Sequence, residues 1–401
     1  MTYSYNLSGA LVEQTYPSGR VVKNVLDNDG DLSIVRSKKN AASGFVDYGE
    51  HFTYTAAGAV SSMRLGNGRW ESTVFNSRLQ PTQIALGTVQ SATDKLKLNF
   101  DYGTTTNNGN VLSQTITVPT ETRNNQTYAA FTAVQTYTYD SLNRIKDAKE
   151  MIGQTQQWKQ TFEYDRYGNR RFDANNTTTL APGCQTAVCN PTIDPATNKL
   201  IGYSFDNAGN TKIDAENRQF IYDGENKQVE VKDQNGATVG KYYYNGDGQR
   251  VKKTSATEST VFVYNASGQL VAEYATQIAQ PQDAKVSYLT TDHLGSPRIT
   301  TDANGQVISR RDFQPFGEEI ARAEYGVDAV RQKFTSYERD TETDLDFAQA
   351  RMYNKNHGRF TSSDPFNIVF EKQLEKDPDK GNRQFKNCVF RMNLNTDSGR
   401  T

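Results

Sequence analysis

The feature that most constrains the fold is a short unit of two aromatic residues and one Asp or Asn that recurs along most of the chain. Each copy reads aromatic-X-aromatic-Asp/Asn, followed by turn residues that contain Gly or Asn and then by a return strand. Clear copies begin at Tyr137, Phe162, Tyr203, Phe220, Tyr242 and Phe262, and looser copies begin at Tyr3 and Phe52. In most clear copies the inner aromatic recurs about every 20 residues, which is the length of one β-hairpin and its connection.

The chemistry of each unit predicts a hairpin. Alternating aromatics place two rings on one face of a strand. The Asp or Asn ends the strand, because its side chain can accept hydrogen bonds from the following backbone in an Asx-turn, and Gly or Asn then supplies a positive φ. A two-stranded unit cannot bury its ring face alone. We therefore predict an all-β fold in which the hairpins pair side by side in one long curved sheet.

Two interpretations of the repeated aromatics remain open. They either pack one repeat against the next or bind sugar rings, together with Trp70 and Trp158. One pair per repeat over many repeats favours packing.

Composition and charge exclude several classes of function. The chain has 45 basic and 46 acidic residues in 401, a net charge of −1, so nothing indicates binding to nucleic acid or to an anionic membrane. No apolar run of about 20 residues predicts a membrane span. The first residues lack the basic and apolar regions of a signal peptide. They already have the pattern of a strand and turn, so we expect the chain to begin inside a repeat array.

The cysteines and histidines predict neither a metal centre nor a cofactor site. Cys184 and Cys189 lie in a loop-like segment, as a disulfide if the compartment is oxidising or as two free thiols. No second pair of ligands accompanies them, and the three histidines are isolated. His293 lies in an Asp-His-Leu-Gly-Ser turn, where we expect it to hydrogen-bond backbone rather than act in a catalytic triad. Cys388 supports no hypothesis.

Residues 288–365 break the repeat with a different set of motifs. They are, in order, Asp292-His-Leu-Gly-Ser-Pro-Arg, Pro315-Phe-Gly-Glu, Glu338-Arg-Asp with Ala350-Arg-Met-Tyr, and Gly358-Arg-Phe-Thr-Ser-Ser-Asp-Pro. Turn formers, paired charges and aromatics are too dense for periodic core packing. We expect a short helix near 340–353, a helical turn or mobile loop at 318–332, a helix at 366–376, and a surface loop at 279–284.

The repeats followed by these motifs resemble the Rhs (rearrangement hotspot) proteins. The repeat resemblance covers residues 1–287, the Rhs-repeat-associated core domain covers 288–366, and residues 367–401 correspond to a variable or degenerate tail. The resemblance implies a sheet that spirals into a hollow shell, a core domain that closes one end as a plug, and a C-terminal segment, often a toxin, held inside. Relatives include the C component of Tc toxin complexes, wall-associated proteins and teneurins, which implies a secreted or cell-surface bacterial protein.

The resemblance also implies a site. In some relatives the core is an aspartic self-protease, and its Arg and first Asp correspond here to Arg351 and Asp364. Two carboxylates are needed, since one holds a proton while the other activates water. Asp377 is the candidate for the second, but its context, Asp377-Pro-Asp-Lys-Gly, departs from the family pattern. A truncated or frameshifted gene, or a degenerate variable region, would explain this departure. The alternative role of Arg351 and Asp364 is a structural ion pair or a turn cap.

Three functions follow from these observations. The leading hypothesis is a structural shell fragment that encloses and presents its own C-terminal segment or a toxin cargo, with secretion machinery as a further partner. The chain supplies too few hairpins for a full shell, so we expect the C-terminal part of one. The alternatives are a surface adhesion or glycan-binding module and an aspartic self-protease. No cofactor and no metal are expected, and enzymatic activity is not the favoured hypothesis.

Overall fold

Antiparallel β-strands form nearly all of the regular structure. The structure is a computed structural model that describes residues 1–123, 125–276, 286–327 and 330–364. Its strands pair mostly with their neighbours in sequence. The predicted all-β architecture of hairpins lying side by side is therefore confirmed.

The first sheet has 14 strands and follows chain order, with one hairpin inserted between its tenth and eleventh members. Its strands are β1 (Thr2–Tyr5), β2 (Leu11–Thr15), β3 (Val21–Leu26), β4 (Leu32–Lys38), β5 (Val46–Tyr54), β6 (Val60–Leu65), β7 (Trp70–Phe75), β8 (Pro81–Gly87), β9 (Leu96–Asp101) and β10 (Ser113–Val118), then the inserted hairpin β11 (Glu121–Arg123) and β12 (Gln126–Tyr128), then β13 (Phe131–Tyr139), β14 (Ile145–Ile152), β15 (Thr155–Tyr164) and β16 (Arg170–Phe172).

A second sheet of 8 strands follows after an insertion. The insertion holds the one-turn helix α1 (Thr186–Cys189) and the short pair β17 (Ile193–Asp194) and β18 (Lys199–Leu200). The sheet comprises β19 (Ser204–Phe205), β20 (Thr211–Ile213), β21 (Gln219–Tyr222), β22 (Gln228–Lys232), β23 (Thr238–Tyr244), β24 (Arg250–Ser255), β25 (Ser259–Tyr264) and β26 (Leu270–Ala275). The single long sheet expected from the sequence is thus interrupted between Phe172 and Ser204, because residues 173–203 do not continue the repeat.

Residues 287–364, here called the C-terminal segment, form two small sheets and two single-turn 3-10 helices. The first sheet contains β27 (Ser287–Thr291), β28 (Pro297–Asp302) and β29 (Val307–Arg310), and the second contains β30 (Glu338–Asp340), β31 (Leu345–Ala348), β32 (Arg351–Asn354) and β33 (Arg359–Phe360). The 3-10 helices are Ala323–Tyr325 and Phe334–Ser336.

The hairpin turns have the Asx geometry that the repeat predicts. At each of these turns, one side-chain oxygen of the Asp or Asn accepts from the backbone N–H groups two and four residues later, as at Asp140 and Asp223. The same arrangement occurs at Asn6, Asp27, Asn76, Asp165, Asp206, Asp214, Asp233, Asn245, Asn265, Asp292 and Asp302. The third residue after the Asx has a positive φ and is Gly or Asn in nearly every one of these turns, but Leu79 occupies it after Asn76 with φ 58.

Tyrosine hydroxyls join six of the hairpins to the one before. The bonds run from Tyr54 to the carbonyl of Leu32, from Tyr102 to Pro81, from Tyr139 to Val111, from Tyr164 to Ile145, from Tyr244 to Gln228 and from Tyr264 to Arg250, at 2.7–3.0 Å. Several of these carbonyls belong to the first residue after the preceding turn. These hydroxyls are therefore used between repeats, which supports the packing interpretation of the aromatics.

Three apolar cores lie between the sheets and the C-terminal segment. In the first, Leu86, Leu98 and Ile116 pack with Ile299, Val307 and Tyr325. In the second, Phe220, Val231 and Tyr242 pack with Leu345, Phe347 and Met352. In the third, Trp158, Phe162 and Phe172 pack with Phe316 and Ile320. The C-terminal segment therefore covers one face of both sheets, while β1 and β2 contain no fully buried residue.

The prediction of a helix near 340–353 is wrong. These residues form β31 and most of β32, which are joined by a tight turn, and both Asp344 and Gln349 have a positive φ that a helix excludes. Arg339 faces Asp346 in register across the β30–β31 pair and binds its carboxylate at 2.7 Å, a cross-strand contact that the local composition does not reveal.

The other local predictions have mixed outcomes. The 318–332 segment contains the predicted helical turn, as the 3-10 helix Ala323–Tyr325. His293 lies in a turn as predicted, but its ring packs edge-on against Phe100 at 4.5 Å, and its Nδ1 has no hydrogen-bond partner among the described residues. The loop at 279–284, the helix at 366–376 and Cys388 lie outside the described residues.

Candidate functional site at the C-terminal segment

Arg351 and Asp364, the residues implied by the family resemblance, are in direct contact. Arg351 opens β32, and its Nη2 lies 2.9 Å from Oδ2 of Asp364. The guanidinium also stacks on the ring of Phe360, 3.7 Å from its centroid. Burial lowers the pKa of Arg351, and the carboxylate of Asp364 acts in the opposite direction. The contact is an ion pair between one arginine and one carboxylate, and Asp377 lies outside the described residues.

The residues just before Asp364 attach to a turn of the second sheet. The backbone carbonyl of Thr361 accepts from the N–H of Thr211 at 2.8 Å, and Ser363 Oγ donates to the carbonyl of Ala208 at 2.8 Å. The hydroxyl of Tyr222 lies 3.3 Å from Thr361 Oγ1, so it bonds the C-terminal segment instead of a preceding hairpin. Residues 361–363 therefore follow the turn between β19 and β20, and this contact sets the position of Asp364.

A cavity of about 120 Å³ lies beside this contact. Apolar side chains that include Leu200, Phe220 and Phe360 line it, together with charged side chains that the fold already uses. Arg218 binds Asp214 at 2.7 Å and donates to the carbonyl of Thr343 at 2.7 Å. The cavity is therefore a gap in packing between the second sheet and the C-terminal segment.

A buried charge cluster joins the second sheet to β30. Arg250 donates to Asp340 at 2.6 Å and to Glu338 at 2.7 Å, and Lys253 donates to Asp340 at 2.9 Å. The ring of Phe347 lies 3.9 Å from the guanidinium of Arg250. Burial by itself would lower the pKa of Arg250, but the adjacent carboxylates raise it above its ordinary value. Both cations of this cluster stay charged because their partners are buried with them.

A second buried cluster joins the first sheet to the residues after β29. The carboxylate of Asp312 accepts from Arg298, Arg322 and Tyr325. Arg322 also donates at 2.7 Å to Glu150 of β14. Burial acts to raise the pKa of Asp312, but the two guanidinium groups lower it overall. Asp312 therefore stays ionised inside the protein and anchors the segment to the sheet.

Further polar contacts cross the same interface over long sequence distances. Arg310 binds Glu121 of the inserted β11–β12 hairpin at 2.7 Å, and Arg123 of that hairpin donates to the carbonyl of Ile308 at 3.0 Å. Asn67 donates to the carbonyl of Asp302 at 2.8 Å, and Arg69 donates to that of Gly305 at 2.8 Å. Gly305 has a positive φ of 73°, and a Cβ there would lie 2.4 Å from Arg69 Nε, so any other residue would be strained and would displace the arginine.

Sequence reasoning missed these charge clusters as a site. The signal was present as the paired charges of Arg310-Arg-Asp and Glu338-Arg-Asp within a stretch without helix or strand periodicity. The partners could not be assigned, because Arg250 and Asp340 are 90 residues apart in the chain.

The remaining candidate residues take part in packing or in a disulfide within the fold. Trp158 belongs to the third core and is 5% exposed, and Trp70 stacks on the ring of His51. Cys184 and Cys189 form a disulfide, with their Cα atoms 6.2 Å apart. Over the described ranges, no group of three His, Cys, Asp or Glu side chains is arranged to hold a metal ion, and no helix has the length and apolar character needed to cross a membrane.

Comparison with protein families identifies this architecture. A model of the Teneurin YD-shell family matches residues 196–396. The chain belongs to this family. In YD-shell terms, the repeats described above are the YD repeats, in which most inner tyrosines make the hydroxyl–carbonyl bond and the Asp or Asn makes the Asx-turn.

The curated relatives of this YD-shell chain include a nuclease and a deaminase toxin. The chain is 24% identical over 212 residues to the tRNA3(Ser)-specific nuclease WapA of Bacillus spizizenii, which covers 51% of this chain and 8% of that protein. It is 24% identical over 238 residues to the double-stranded DNA deaminase toxin A of Burkholderia cenocepacia, which covers 58% of this chain and 15% of that protein. The matches thus span only a small part of each relative.

Solved structures share the YD-shell fold over most of this chain. The TcdB2-TccC3-Cdc42 crystal structure matches with a TM-score of 0.71 and 20% identity, covering 90% of this chain and 20% of that one. The Photorhabdus luminescens Tc holotoxin pore matches with a TM-score of 0.70 and 19% identity, covering 90% of this chain and 20% of that one. At this level of identity the likeness establishes the fold.

Proposed function

We propose that this chain is part of a secreted or cell-surface bacterial shell that encloses and presents a C-terminal polypeptide. The observation that carries the proposal is the attachment of the C-terminal segment to one face of both sheets, through three apolar cores and two buried charge clusters. A segment held this firmly fixes the point from which any following polypeptide starts.

The relatives indicate the class of cargo. The two named above are a nuclease and a deaminase toxin, and each is much longer than the part that this chain matches. The cargo proposed here is accordingly a toxin polypeptide that continues from residues 361–364. The plug is the C-terminal segment, with the boundary of the core domain at 288–366 and the variable tail at 367–401.

Protease protection of a reporter tests this function. An unstructured polypeptide with one cleavage site for a specific protease is fused after Thr401, and the same reporter is fused to an unrelated globular domain. Enclosure predicts that cleavage is slower by about tenfold or more on the YD-shell chain, since only opened molecules are cut. Equal cleavage rates in the two fusions would refute enclosure.

Self-cleavage is a second candidate because Arg351 and Asp364 are 2.9 Å apart. An arginine beside an aspartate is also what a structural ion pair requires, and the stacking of Arg351 on Phe360 supports that role. We propose the structural role. The glycan-binding alternative needs exposed rings, whereas Trp158 is buried and the repeat tyrosines use their hydroxyls between hairpins. A glycan array without any binding would remove that alternative.

A further inference from the structure

The disulfide lies in the insertion that separates the two sheets. The disulfide joins Cys189, the last residue of α1, to Cys184, which lies two residues before the helix. Cys184 is exposed and Cys189 is half-buried. A pair of cysteines so close in sequence closes only a small loop, so its effect is local. Its exposed sulfur is open to attack by a soluble thiol.

The residue after this loop, Asn190, is hydrogen-bonded to the last strand of the first sheet. The side chain of Asn190 is 8% exposed and forms two hydrogen bonds with the backbone of Phe172 in β16. Its Oδ1 accepts from the N–H of Phe172 at 2.9 Å, and its Nδ2 donates to the carbonyl at 2.8 Å. The disulfide loop is thereby fixed to the last strand of the 14-stranded sheet.

One carbonyl of α1 contacts the C-terminal segment, and another accepts a hydrogen bond from Tyr203, just before β19. Nε2 of His357 lies 2.8 Å from the carbonyl oxygen of Val188, and Tyr203 donates to the carbonyl of Ala187 at 3.2 Å. The rings of Tyr203 and His357 meet edge to face at 5.9 Å. His357 lies in the turn between β32 and β33, seven residues before Asp364. The disulfide loop therefore contacts the part of the segment that leads to Asp364.

Apolar packing at this point is incomplete. The cavity of about 120 Å³ is lined by Leu200, Tyr203, His357 and Arg359, among others. Arg359 reaches across to the insertion and donates to the carbonyl of Asn198 at 3.1 Å. Because the gap removes apolar contacts, the hold on residues 354–360 depends more on these hydrogen bonds to the insertion, whereas residues 361–363 are also held by the turn between β19 and β20.

We propose that the Cys184–Cys189 disulfide is a redox-sensitive latch that holds residues 354–360 against the sheets, and that its reduction by a dithiol loosens this hold. The proposal rests on the proposed function, since a loosened segment would release the polypeptide that the shell presents.

The chemistry is a thiol–disulfide exchange. A thiolate of the dithiol attacks Sγ of Cys184, the bond to Cys189 breaks, and Cys189 leaves as a thiolate that takes up a proton. The second thiol of the reductant then attacks the mixed disulfide and releases Cys184. Two electrons and two protons pass to the cysteine pair, and the dithiol becomes a disulfide. The loop around α1 is then open, and the carbonyls of Ala187 and Val188 lose their fixed positions.

Hydrogen exchange followed by mass spectrometry on the full chain tests the latch. Cys388 is replaced by Ser so that the response comes from one pair, and the protein is compared with and without dithiothreitol. The expected result is that reduction speeds exchange in peptides spanning 352–363 by about tenfold, while peptides spanning 131–152 do not change. Equal exchange of 352–363 in both states would overturn the proposal.

Two variants serve as controls. The double variant C184S/C189S in the same background is expected to exchange fast at 352–363 whether or not the reductant is added, and a remaining response to the reductant would overturn the proposal. His357→Ala is expected to exchange fast at 352–363 with the disulfide intact. Wild-type exchange in that variant would show that the contact with Val188 does not carry the hold.

The latch and the shell fail separately. If the reporter is protected under oxidising conditions but hydrogen exchange at 352–363 does not change with the reductant, the latch proposal is wrong and the shell proposal is supported. If exchange responds to the reductant but the reporter is cut as fast as on the unrelated domain, the shell is wrong and the local latch stands.

Discussion

The guanidinium of Arg250 donates to the carboxylate of Asp340 at 2.6 Å, and neither side chain is accessible to solvent. The pair joins β24 of the second sheet to β30 of the C-terminal segment. Removing one member of a buried ion pair leaves the other charge without its partner. We predict that Asp340→Ala lowers the free energy of unfolding by about 3 kcal/mol, measured by urea denaturation at pH 7.

An exposed ion pair provides the matched control. Glu216 binds Arg218 at 3.3 Å with its side chain 55% exposed. Glu216→Ala should change the free energy of unfolding by less than about 0.5 kcal/mol. A loss at Asp340 no larger than that would show that the buried pair does not hold the segment to the sheet.

The tyrosine bonds between hairpins predict a difference between two adjacent residues. Tyr244 donates to the carbonyl of Gln228 at 2.8 Å, whereas its neighbour Tyr243 is 47% exposed. Tyr244→Phe leaves that carbonyl without its donor and should cost about 1 kcal/mol of unfolding free energy. Tyr243→Phe should be neutral in the same urea titration, and equal effects of the two changes would contradict the pairing of repeats.

Leu79 predicts a stabilising substitution. It occupies the position of positive φ in the turn after Asn76, where related turns have Gly or Asn, and it is 50% exposed. A left-handed conformation costs an L-residue such as leucine about 1–2 kcal/mol. Glycine avoids this cost, but part of the gain is lost because glycine gives up more conformational entropy on folding. We predict that Leu79→Gly raises the free energy of unfolding by about 0.5–1 kcal/mol.

The control is the exposed Leu142, which lies in the turn after Asp140 but without a positive φ. Leu142→Gly should be neutral or destabilising. Stabilisation by both substitutions would mean that removal of an exposed leucine, rather than backbone geometry, is the cause.

The carboxyl of Glu71 in β7 predicts a stability change on substitution that depends on pH. Burial raises its pKa to about 7. The unfolded chain ionises this carboxyl at lower pH than the folded chain, so ionisation costs stability as pH rises from about 4.3 to 7. Glu71→Gln removes that cost, so we predict a gain of about 2 kcal/mol at pH 8 that shrinks towards zero near pH 4.5.

Urea titrations of both proteins across this pH range measure the difference. The control is Glu163→Gln on the exposed side of β15, which should change the free energy of unfolding by less than about 0.5 kcal/mol at pH 8. A pH-independent effect of Glu71→Gln would contradict the burial of its carboxyl.

The Arg351–Asp364 pair predicts an intact chain. If the pair is structural, the purified protein has the full-length mass, and Asp364→Asn leaves that mass unchanged. Intact-mass spectrometry after incubation at pH 5 and pH 7 measures this. A shorter product in the wild type that is missing from Asp364→Asn and from Arg351→Ala would establish self-cleavage instead.

Local chemistry made the repeats predictable. The Asx-turns at Asp140 and Asp223 depend on residues within four positions of each other, so the sequence pattern contains all the information that they need. The aromatic alternation likewise favoured packing between repeats, and the tyrosine hydroxyl bonds support that interpretation. The break between the two sheets was missed because the sequence shows that residues 173–203 leave the repeat but does not show whether the strands on either side still pair.

The features that the sequence did not predict depend on contacts between residues far apart in the chain. Residues 345–348 have a composition that suits a helix, but Leu345 and Phe347 pack against the second sheet and Asp346 binds Arg339, which favours strands. The charge clusters depend on partners far apart in the chain. The contact between Arg351 and Asp364 was implied by the family resemblance rather than by their spacing, and the role of Asp377 stays a prediction.

The two kinds of contact also differ in when they can form during synthesis. The hydroxyl of Tyr264 bonds a carbonyl 14 residues earlier and that of Tyr139 one 28 residues earlier, so each hairpin meets its partner soon after leaving the ribosome. Asn67 and Thr301 are separated by 234 residues. Contacts of short sequence separation form first, and chains fold from the N-terminus as they are made. We therefore expect the sheets to assemble vectorially, strand after strand, before the segment that covers them arrives.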